Sequence, residues 1–241
     1  MSIEIEALEH VYNKGTPFEH VALQGIDLTI PEGKVTAIIG QTGSGKSTLV
    51  QHLNGLLMPT GGFLDICGYH IQPLLKIKDI KELRKKVGLV FQFPEYQLFE
   101  ETIEKDIAFG PKNFGTSEEE ANALVRKVLP LVGLDESYLD RSPFELSGGQ
   151  KRRVAIAGIL ILNPEVLVLD EPTAGLDPMG RDGLLSQIGQ YHKERKNTVI
   201  LVSHSMEDIA RVADKIIVMN KSNLVMFDKT KEVFSNGREL E

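Results

Sequence analysis

The sequence lacks the features that mark several common classes of protein. Its single cysteine, Cys67, excludes an internal disulfide and a zinc site built from cysteines. The longest fully nonpolar run extends only from Val154 to Leu162, whereas a transmembrane helix needs about 20 apolar residues. The first residues show no basic segment followed by an apolar one, so we expect no secretory signal. We therefore expect membrane contact to be indirect, through a partner protein.

Positive charge is also scarce, with 27 lysines and arginines against 34 aspartates and glutamates and a formal net charge of −7. Nucleic acid is therefore not expected as a partner. The remaining composition, 41% hydrophobic and 25% charged over 241 residues, is typical of a globular domain with a sizeable core. No internal repeat or low-complexity segment interrupts it.

The spacing of apolar residues indicates an α/β fold with a parallel sheet. Capping boxes, in which a Glu or Gln follows the first residue by three positions, predict helix starts at Asp79, Ser117 and Ser147. We predict one domain in which a mostly helical lobe, about residues 93–145, is inserted into an α/β core. Alternation or short apolar runs predict strands at Ile26–Ile30, Val35–Ile39, Val87–Phe91, Val166–Leu169 and Val199–Val202.

The segment Gly40–Ser47, Gly-Gln-Thr-Gly-Ser-Gly-Lys-Ser, matches the pattern of a phosphate-binding loop. Its glycines let backbone N–H groups approach phosphate oxygens, and the helix that follows adds its positive N-terminal end. Lys46 is suited to bind the β and γ phosphates, and Ser47 offers a hydroxyl to Mg²⁺. These residues predict a nucleotide site.

Two adjacent carboxylates, Asp170 and Glu171, follow the apolar strand Val166–Leu169. Alone, they would also fit an ordinary acidic turn. Downstream of a phosphate-binding loop, Asp170 is predicted to hold Mg²⁺ and Glu171 to orient or deprotonate the attacking water.

The segment Leu146–Gln150, Leu-Ser-Gly-Gly-Gln, is the most discriminating motif. Ser147 and Gln150 form the predicted capping box, and the two glycines between them expose the N–H groups of the first helical turn to an anion. Starting a helix is an alternative role, but two glycines weaken a first turn. We therefore predict an anion-binding helix start.

The chain as a whole resembles the nucleotide-binding domains of ABC transporters. The resemblance implies a P-loop NTPase core with a parallel sheet, an N-terminal antiparallel β subdomain and an inserted α-helical subdomain. It further implies one ABC ATPase domain over residues 1–241, with 1–92 and 146–241 as the core. It rests on segments that occur in the family's order and approximate spacing: Gly40–Ser47, Gln92, Leu146–Gln150, Asp170–Glu171, Ala174–Asp177 and His204.

The same resemblance implies a role for each matching residue. Catalysis is assigned to Glu171, His204, Lys46 and Gln92, and Mg²⁺ binding to Ser47, Gln92 and Asp170. Asp177 would communicate across a dimer, and Ser147, Gly148, Gly149 and Gln150 would bind the ATP of the partner domain. The chain's own ATP would stack its adenine on Tyr12, a role for which Phe18 is the alternative. The remaining residues expected to contact this ATP are Gly40, Gln41, Thr42, Gly43, Ser44, Gly45, Lys46, Ser47 and Thr48.

Within that family, the segments Val87–Phe99 and Ala108–Gly115 resemble the ATPase subunits of energy-coupling factor (ECF) transporters. Gly15–Phe18 and the Phe-Pro-Glu-Tyr-Gln sequence from Phe93 are most similar to the second, A-prime type of subunit. The resemblance implies an ATP-driven importer of vitamins or metal ions on the cytoplasmic face of the cell membrane. Its implied partners are a sister ATPase, a transmembrane coupling subunit and a substrate-capture subunit. A large apolar cluster beside Gln92 fits either a partner groove or ordinary core: Phe91, Phe93, Tyr96, Leu98 and Phe99.

Other functions remain as alternatives at this point. The chain could serve another class of ABC transporter, or act as a soluble ABC ATPase of repair or translation, although it is too short for two domains and shows no sustained heptads. A GTPase is less compatible, because Asn223 replaces the aspartate of a base-reading Asn-Lys-x-Asp motif at Asn220–Asn223. A non-hydrolysing regulatory module is also less compatible, because it would lack Glu171 or His204, and this sequence has both.

ECF members usually extend further at the C-terminus. We therefore expect that extension to be absent or truncated here, with Leu240–Glu241 as a cloning remnant.

Overall fold

Two β-sheets and a helical lobe make up the fold, which a computed structural model describes for residues 2–236. Leu240–Glu241 and the expected loss of a C-terminal extension lie outside these residues. The strands are β1 (Ile3–Tyr12), β2 (His20–Ile30), β3 (Val35–Gly40), β4 (Gly61–Ile66), β5 (Tyr69–Ile71), β6 (Val87–Val90), β7 (Val166–Asp170), β8 (Thr198–Val202), β9 (Lys215–Asn220) and β10 (Asn223–Lys229). The helices are α1 (Lys46–Leu53), α2 (Ile80–Lys86), α3 (Ile103–Asn113), α4 (Glu118–Val128), α5 (Gly148–Leu160), α6 (Pro178–Arg195), α7 (Met206–Val212) and α8 (Thr230–Ser235).

The larger sheet has the strand order β10-β9-β3-β8-β7-β6 and confirms the predicted parallel sheet, apart from one edge. The edge strand β10 pairs antiparallel with β9. Lys221 and Ser222 join them with φ angles of 45° and 69°, which suits a two-residue hairpin turn. The segment that faintly matched a base-reading motif is therefore this turn.

The smaller sheet is the predicted antiparallel β subdomain, with the order β2-β1-β4-β5. Its inner face packs on one side of the larger sheet through a cluster that includes Leu8, Ile26, Ile38 and Leu53. The other side of the larger sheet packs against the helical lobe and α5, through residues such as Ile107 and Leu169.

The lobe between residues 94 and 145 contains α3, α4 and short 3₁₀ turns. Capping boxes form at Ser117 and Ser147 as predicted. The predicted cap at Asp79 is wrong: its backbone is left-handed, with φ 55°, and its side chain accepts no capping hydrogen bond.

The carboxyl ends of β3, β8, β7 and β6 lie along one edge of the sheet, because these strands are parallel neighbours. Gly40 ends β3, Asp170 ends β7, and Gln92 and His204 follow β6 and β8 by two residues. Ligands of open α/β sheets bind at this edge. Among the described residues, no helix has the length and apolar character needed to cross a membrane.

Candidate functional site

The phosphate-binding loop passes tightly between β3 and α1. Gly45 has φ +100°, and a Cβ there would lie 2.4 Å from the carbonyl oxygen of Ala22. Gly40 has φ +149°, and a Cβ there would lie 2.1 Å from the Met219 carbonyl oxygen. Only glycine fits at these two positions. At Gly40 and Gly45, the surface of the loop is therefore formed by backbone atoms and not by side chains.

Lys46 is almost fully buried, at 6% exposure. Its Nζ donates to the carbonyl oxygens of Gly40 at 2.8 Å and Gln41 at 2.9 Å. Burial lowers the pKa of Lys46, while the nearby carboxylates of Glu171 and Asp170 oppose that shift. A buried cation held by two carbonyls at the loop is suited to pair with phosphate oxygens.

A cavity of about 380 Å³ opens at this point. It brings together residues from the loop, from the smaller sheet and from all four of the predicted catalytic positions. The residues that line it are Tyr12, His20, Ala22, Thr42, Gly43, Gly45, Lys46, Ser47, Thr48, Gln92, Glu171 and His204.

Glu171 is the centre of a side-chain network in that cavity. Gln92 Nε2 donates to its Oε2 at 2.9 Å, and His204 Nε2 lies 2.7 Å from its Oε1. Glu171 itself has a left-handed backbone, with φ 50°, and its N–H donates to the Val202 carbonyl oxygen. Such a conformation is uncommon outside glycine and is found at functional sites. Gln92 and His204 thus share the carboxylate of Glu171.

Asp170 stands beside the loop and accepts a hydrogen bond from the side chain of Ser47. Burial raises the pKa of Asp170, and the bond from Ser47 and the charge of Lys46 oppose that rise. The carboxylate and the hydroxyl are both hard oxygen donors of the kind that Mg²⁺ prefers.

Tyr12 lines the same cavity, and its Oη lies 3.3 Å from Thr48 Oγ1. Phe18, the competing aromatic, is 81% exposed and is not among the residues that line the cavity. His20 does line it, although no motif singled it out. The sheet register pairs His20 with Tyr12, so a hairpin alignment of β1 and β2 would have found it.

The predicted anion-binding helix start at α5 lies in a different place. Ser147 Oγ accepts from Gln150 N–H at 3.3 Å, and the Ser147 N–H donates to Gln150 Oε1 at 3.0 Å. A Cβ on Gly148 would meet nothing within 4 Å. This helix start borders a second cavity, of about 300 Å³, which shares no lining residue with the first.

Asp177 caps α6, because its Oδ1 accepts from the Gly180 N–H at 2.6 Å. It is exposed and does not line the cavity around Lys46. The structure therefore gives Asp177 a helix-capping contact within the chain.

A family model described as ABC transporter matches residues 23–174. The energy-coupling factor transporter ATP-binding protein EcfA2 of Clostridium perfringens is 58% identical over 242 residues, which cover 100% of this chain and 84% of that protein. The EcfA2 of Bacillus anthracis is 57% identical over 241 residues, covering 100% of this chain and 82% of the relative.

Two solved structures are also similar over nearly the whole chain. One is cbiO1 from Clostridium perfringens, described as part of the ABC transporter complex cbiONQ, with a TM-score of 0.85 and 38% identity over 98% of this chain and 92% of that one. The other is the ATP-binding cassette MJ0796, a dimer in a post-hydrolysis state bound to ADP and Pi. Its TM-score is 0.81 and its identity 28%, over 95% of this chain and 98% of that one.

Proposed function

This chain belongs to the ABC transporter family, and from that membership we propose that it is the ATP-hydrolysing subunit of an energy-coupling factor importer. It binds ATP, and it is an ABC ATPase with the subunit type of its EcfA2 relatives. The observation that carries the catalytic proposal is the network around one carboxylate. Gln92 and His204 hold the two oxygens of Glu171, in the cavity that Lys46 lines.

The phosphate groups of ATP are bound by the loop Gly40–Ser47, with Thr48, in this proposal. Backbone N–H groups at the start of α1 and the Nζ of Lys46 supply the positive charge. Lys46 exchanges its carbonyl partners, at 2.8 and 2.9 Å, for phosphate oxygens. Tyr12 lies on the same cavity and offers an aromatic face to adenine.

Ser47, Asp170 and Gln92 are the residues that would hold Mg²⁺. Within residues 2–236, no group of three or more His, Cys, Asp and Glu side chains could hold a metal. A site completed by the phosphates of ATP fits this donor set, because Mg²⁺ in such enzymes uses few carboxylates. Gln92 donates through its amide nitrogen, which leaves its amide oxygen as an acceptor. When bound, Mg²⁺ would neutralise phosphate charge.

Hydrolysis needs a base, and Glu171 is the carboxylate at the cavity that can accept a proton from water. His204 and Gln92 orient it, so its lone pairs are aimed before water arrives. Lys46 and His204 then stabilise the charge that develops on the phosphoryl oxygens. Glu171 is thus the proposed general base.

A second subunit completes the ATP site in this proposal. The start of α5 does not line the chain's own phosphate cavity, and Gly148 is open on its outer side. The backbone N–H groups of Gly148 and Gly149, in the first turn of α5, suit an anion from outside the chain. We infer that Ser147, Gly148, Gly149 and Gln150 bind the ATP of a sister ATPase, and that Asp177 communicates across that dimer.

The chain works with other ECF components and is membrane-associated. We propose that residues 1–92 and 146–241 form the ATP-binding core and that about 93–145 form the helical subdomain. We also propose a position on the cytoplasmic face of the membrane, bound peripherally to a transmembrane coupling subunit that works with a substrate-capture subunit. Three exposed aromatic side chains near Gln92 support such a contact: Phe93, Tyr96 and Phe99.

Phosphate release by the purified complex tests this proposal. Glu171→Gln should keep ATP binding and lose most turnover, because an amide cannot accept the proton. Glu165→Gln is a matched control, since Glu165 is an exposed side chain that pairs with Lys86 at 3.4 Å. Near wild-type turnover by Glu171→Gln would show that Glu171 is not the base.

A further inference from the structure

Arg152 is a buried cation on α5 that the roles assigned so far leave unused. Its side chain is 3% exposed, and that of its partner Glu95 is 13% exposed. The two meet as a bidentate pair, with Nε at 3.0 Å from Oε2 and Nη2 at 2.6 Å from Oε1 of Glu95. Paired contacts of this kind fix orientation as well as charge.

The same guanidinium also binds backbone. Its Nη1 donates to the carbonyl oxygens of Pro172, at 3.1 Å, and Ala174. These carbonyls belong to the loop that begins directly after Glu171. Because four of the five N–H donors are engaged inside the chain, Arg152 has little capacity left for a nucleotide.

Glu95 lies in the 3₁₀ turn Pro94–Gln97, which starts just after Gln92. Phe93, between them, has φ 55° and places its ring centroid 5.8 Å from the guanidinium carbon of Arg152. One side chain, carried by the second turn of α5, therefore contacts both the segment after Gln92 and the loop after Glu171.

We propose that Arg152 is a positioning residue for ATP hydrolysis, which holds the segments that carry Gln92 and Glu171 in fixed register with the start of α5. Movement of α5 or of the turn Pro94–Gln97 is then transmitted to the catalytic carboxylate. This inference rests on the proposed function, since it assigns Arg152 a part in Glu171-dependent hydrolysis.

The double variant Arg152→Met with Glu95→Met is the sharpest test in the assembled transporter. Replacing both members of a buried ion pair by apolar residues is often neutral for stability, whereas removing one leaves an unpaired charge. We expect a melting temperature near wild type, unchanged affinity for ATP, and a kcat lower on the order of 10- to 100-fold from misplaced catalytic groups. A stably folded double variant with wild-type kcat would overturn the proposal.

Arg152→Lys covers the case in which the double variant does not fold. Lysine keeps the charge but cannot bind Glu95 and two carbonyls together, so kcat should fall while the KM for ATP is kept. Arg126→Lys is the matched control, because Arg126 pairs with Glu104 at 3.0 Å on the surface of the helical lobe. If Arg152→Lys and Arg126→Lys had the same kcat, measured per enzyme molecule with ATP bound, the inference would be refuted.

The outcome also separates this inference from the proposed function. If wild-type turnover does not depend on Glu171, the proposed function fails and the inference fails with it. If turnover depends on Glu171 but not on Arg152, only the inference is refuted.

Discussion

His204 Nε2 lies 2.7 Å from Glu171 Oε1, although the two residues follow different strands of the sheet. The contact exists because β7 and β8 are parallel neighbours, with Asp170 paired to Val202. A residue just beyond each strand end is thereby brought to the same cavity. In the proposed mechanism, His204 both orients the carboxylate and faces the site where phosphoryl charge develops.

His204→Ala should therefore lower kcat while leaving ATP binding intact. We expect a loss on the order of 100-fold, the usual scale for removing a group that stabilises charge developing in the transition state. Phosphate release and equilibrium binding of a fluorescent ATP analogue measure the two effects. His70→Ala, on β5 of the smaller sheet, should leave both unchanged. A His204→Ala enzyme with wild-type kcat would contradict the role given to this histidine.

Lys46→Ala should weaken ATP binding itself. A charge-assisted contact to phosphate of the usual strength corresponds to about a 10- to 100-fold change in Kd. Lys34→Ala is the control, because Lys34 is half exposed and pairs with Asp214 at 3.8 Å. Isothermal titration with ATP distinguishes the two, and an unchanged Kd for Lys46→Ala would refute the phosphate assignment.

Gly148→Glu tests whether the start of α5 serves a neighbouring subunit. The site has room for a side chain, so the isolated chain should fold and bind ATP as before. A carboxylate there should repel the neighbour's phosphates, and ATP-dependent association should weaken on the order of 100-fold. Gly148→Ala adds no charge, so it should dimerise much better than Gly148→Glu. Sedimentation in a Glu171→Gln background measures association. Equal association of the two variants would argue against a shared site.

His52 should make the fold sensitive to acid. Burial lowers its pKa to about 4, while its Nδ1 donates to the Thr48 carbonyl oxygen and its Nε2 accepts from His10. The unfolded chain takes up this proton at higher pH, so stability is complete above about pH 6.5 and falls as pH drops toward 4. The full loss is about 3 kcal/mol.

Urea unfolding at several pH values measures this loss. His52→Gln should flatten the decline between pH 6.5 and 4. His70→Gln should leave the decline between pH 6.5 and 4 unchanged, because the hydrogen bond that His70 donates to Asp65 raises the pKa of His70, and its titration lies above that window. An unchanged decline in His52→Gln would mean that other groups cause the acid sensitivity.

Local patterns made much of the fold predictable. The strands β3, β7 and β8 are buried on both faces, so each is a short apolar run. Capping at Ser117 and Ser147 involves residues only three positions apart, which sequence spacing reveals directly. At Asp79 the same spacing misled, because the backbone there is left-handed and the side chain cannot reach the N–H of the first turn.

Contacts between distant segments were not predictable in this way. Arg152 and Glu95 are 57 positions apart, and no local pattern links them. His20 reaches the cavity only through the pairing of β1 with β2. The antiparallel edge strand β10 depends on a two-residue turn formed by Lys221 and Ser222, neither of which is a usual turn residue for positive φ.

Uptake by reconstituted vesicles tests the central claim most directly. The chain would be co-purified with the proposed sister ATPase and membrane partners, and the small molecule that accompanies them would be identified and used as substrate. With ATP supplied, the wild-type complex should accumulate that molecule, and Glu171→Gln in this chain should abolish most of the accumulation while ATP still binds. Uptake at the wild-type rate without ATP, or with Glu171→Gln, would contradict an importer driven by hydrolysis at this site.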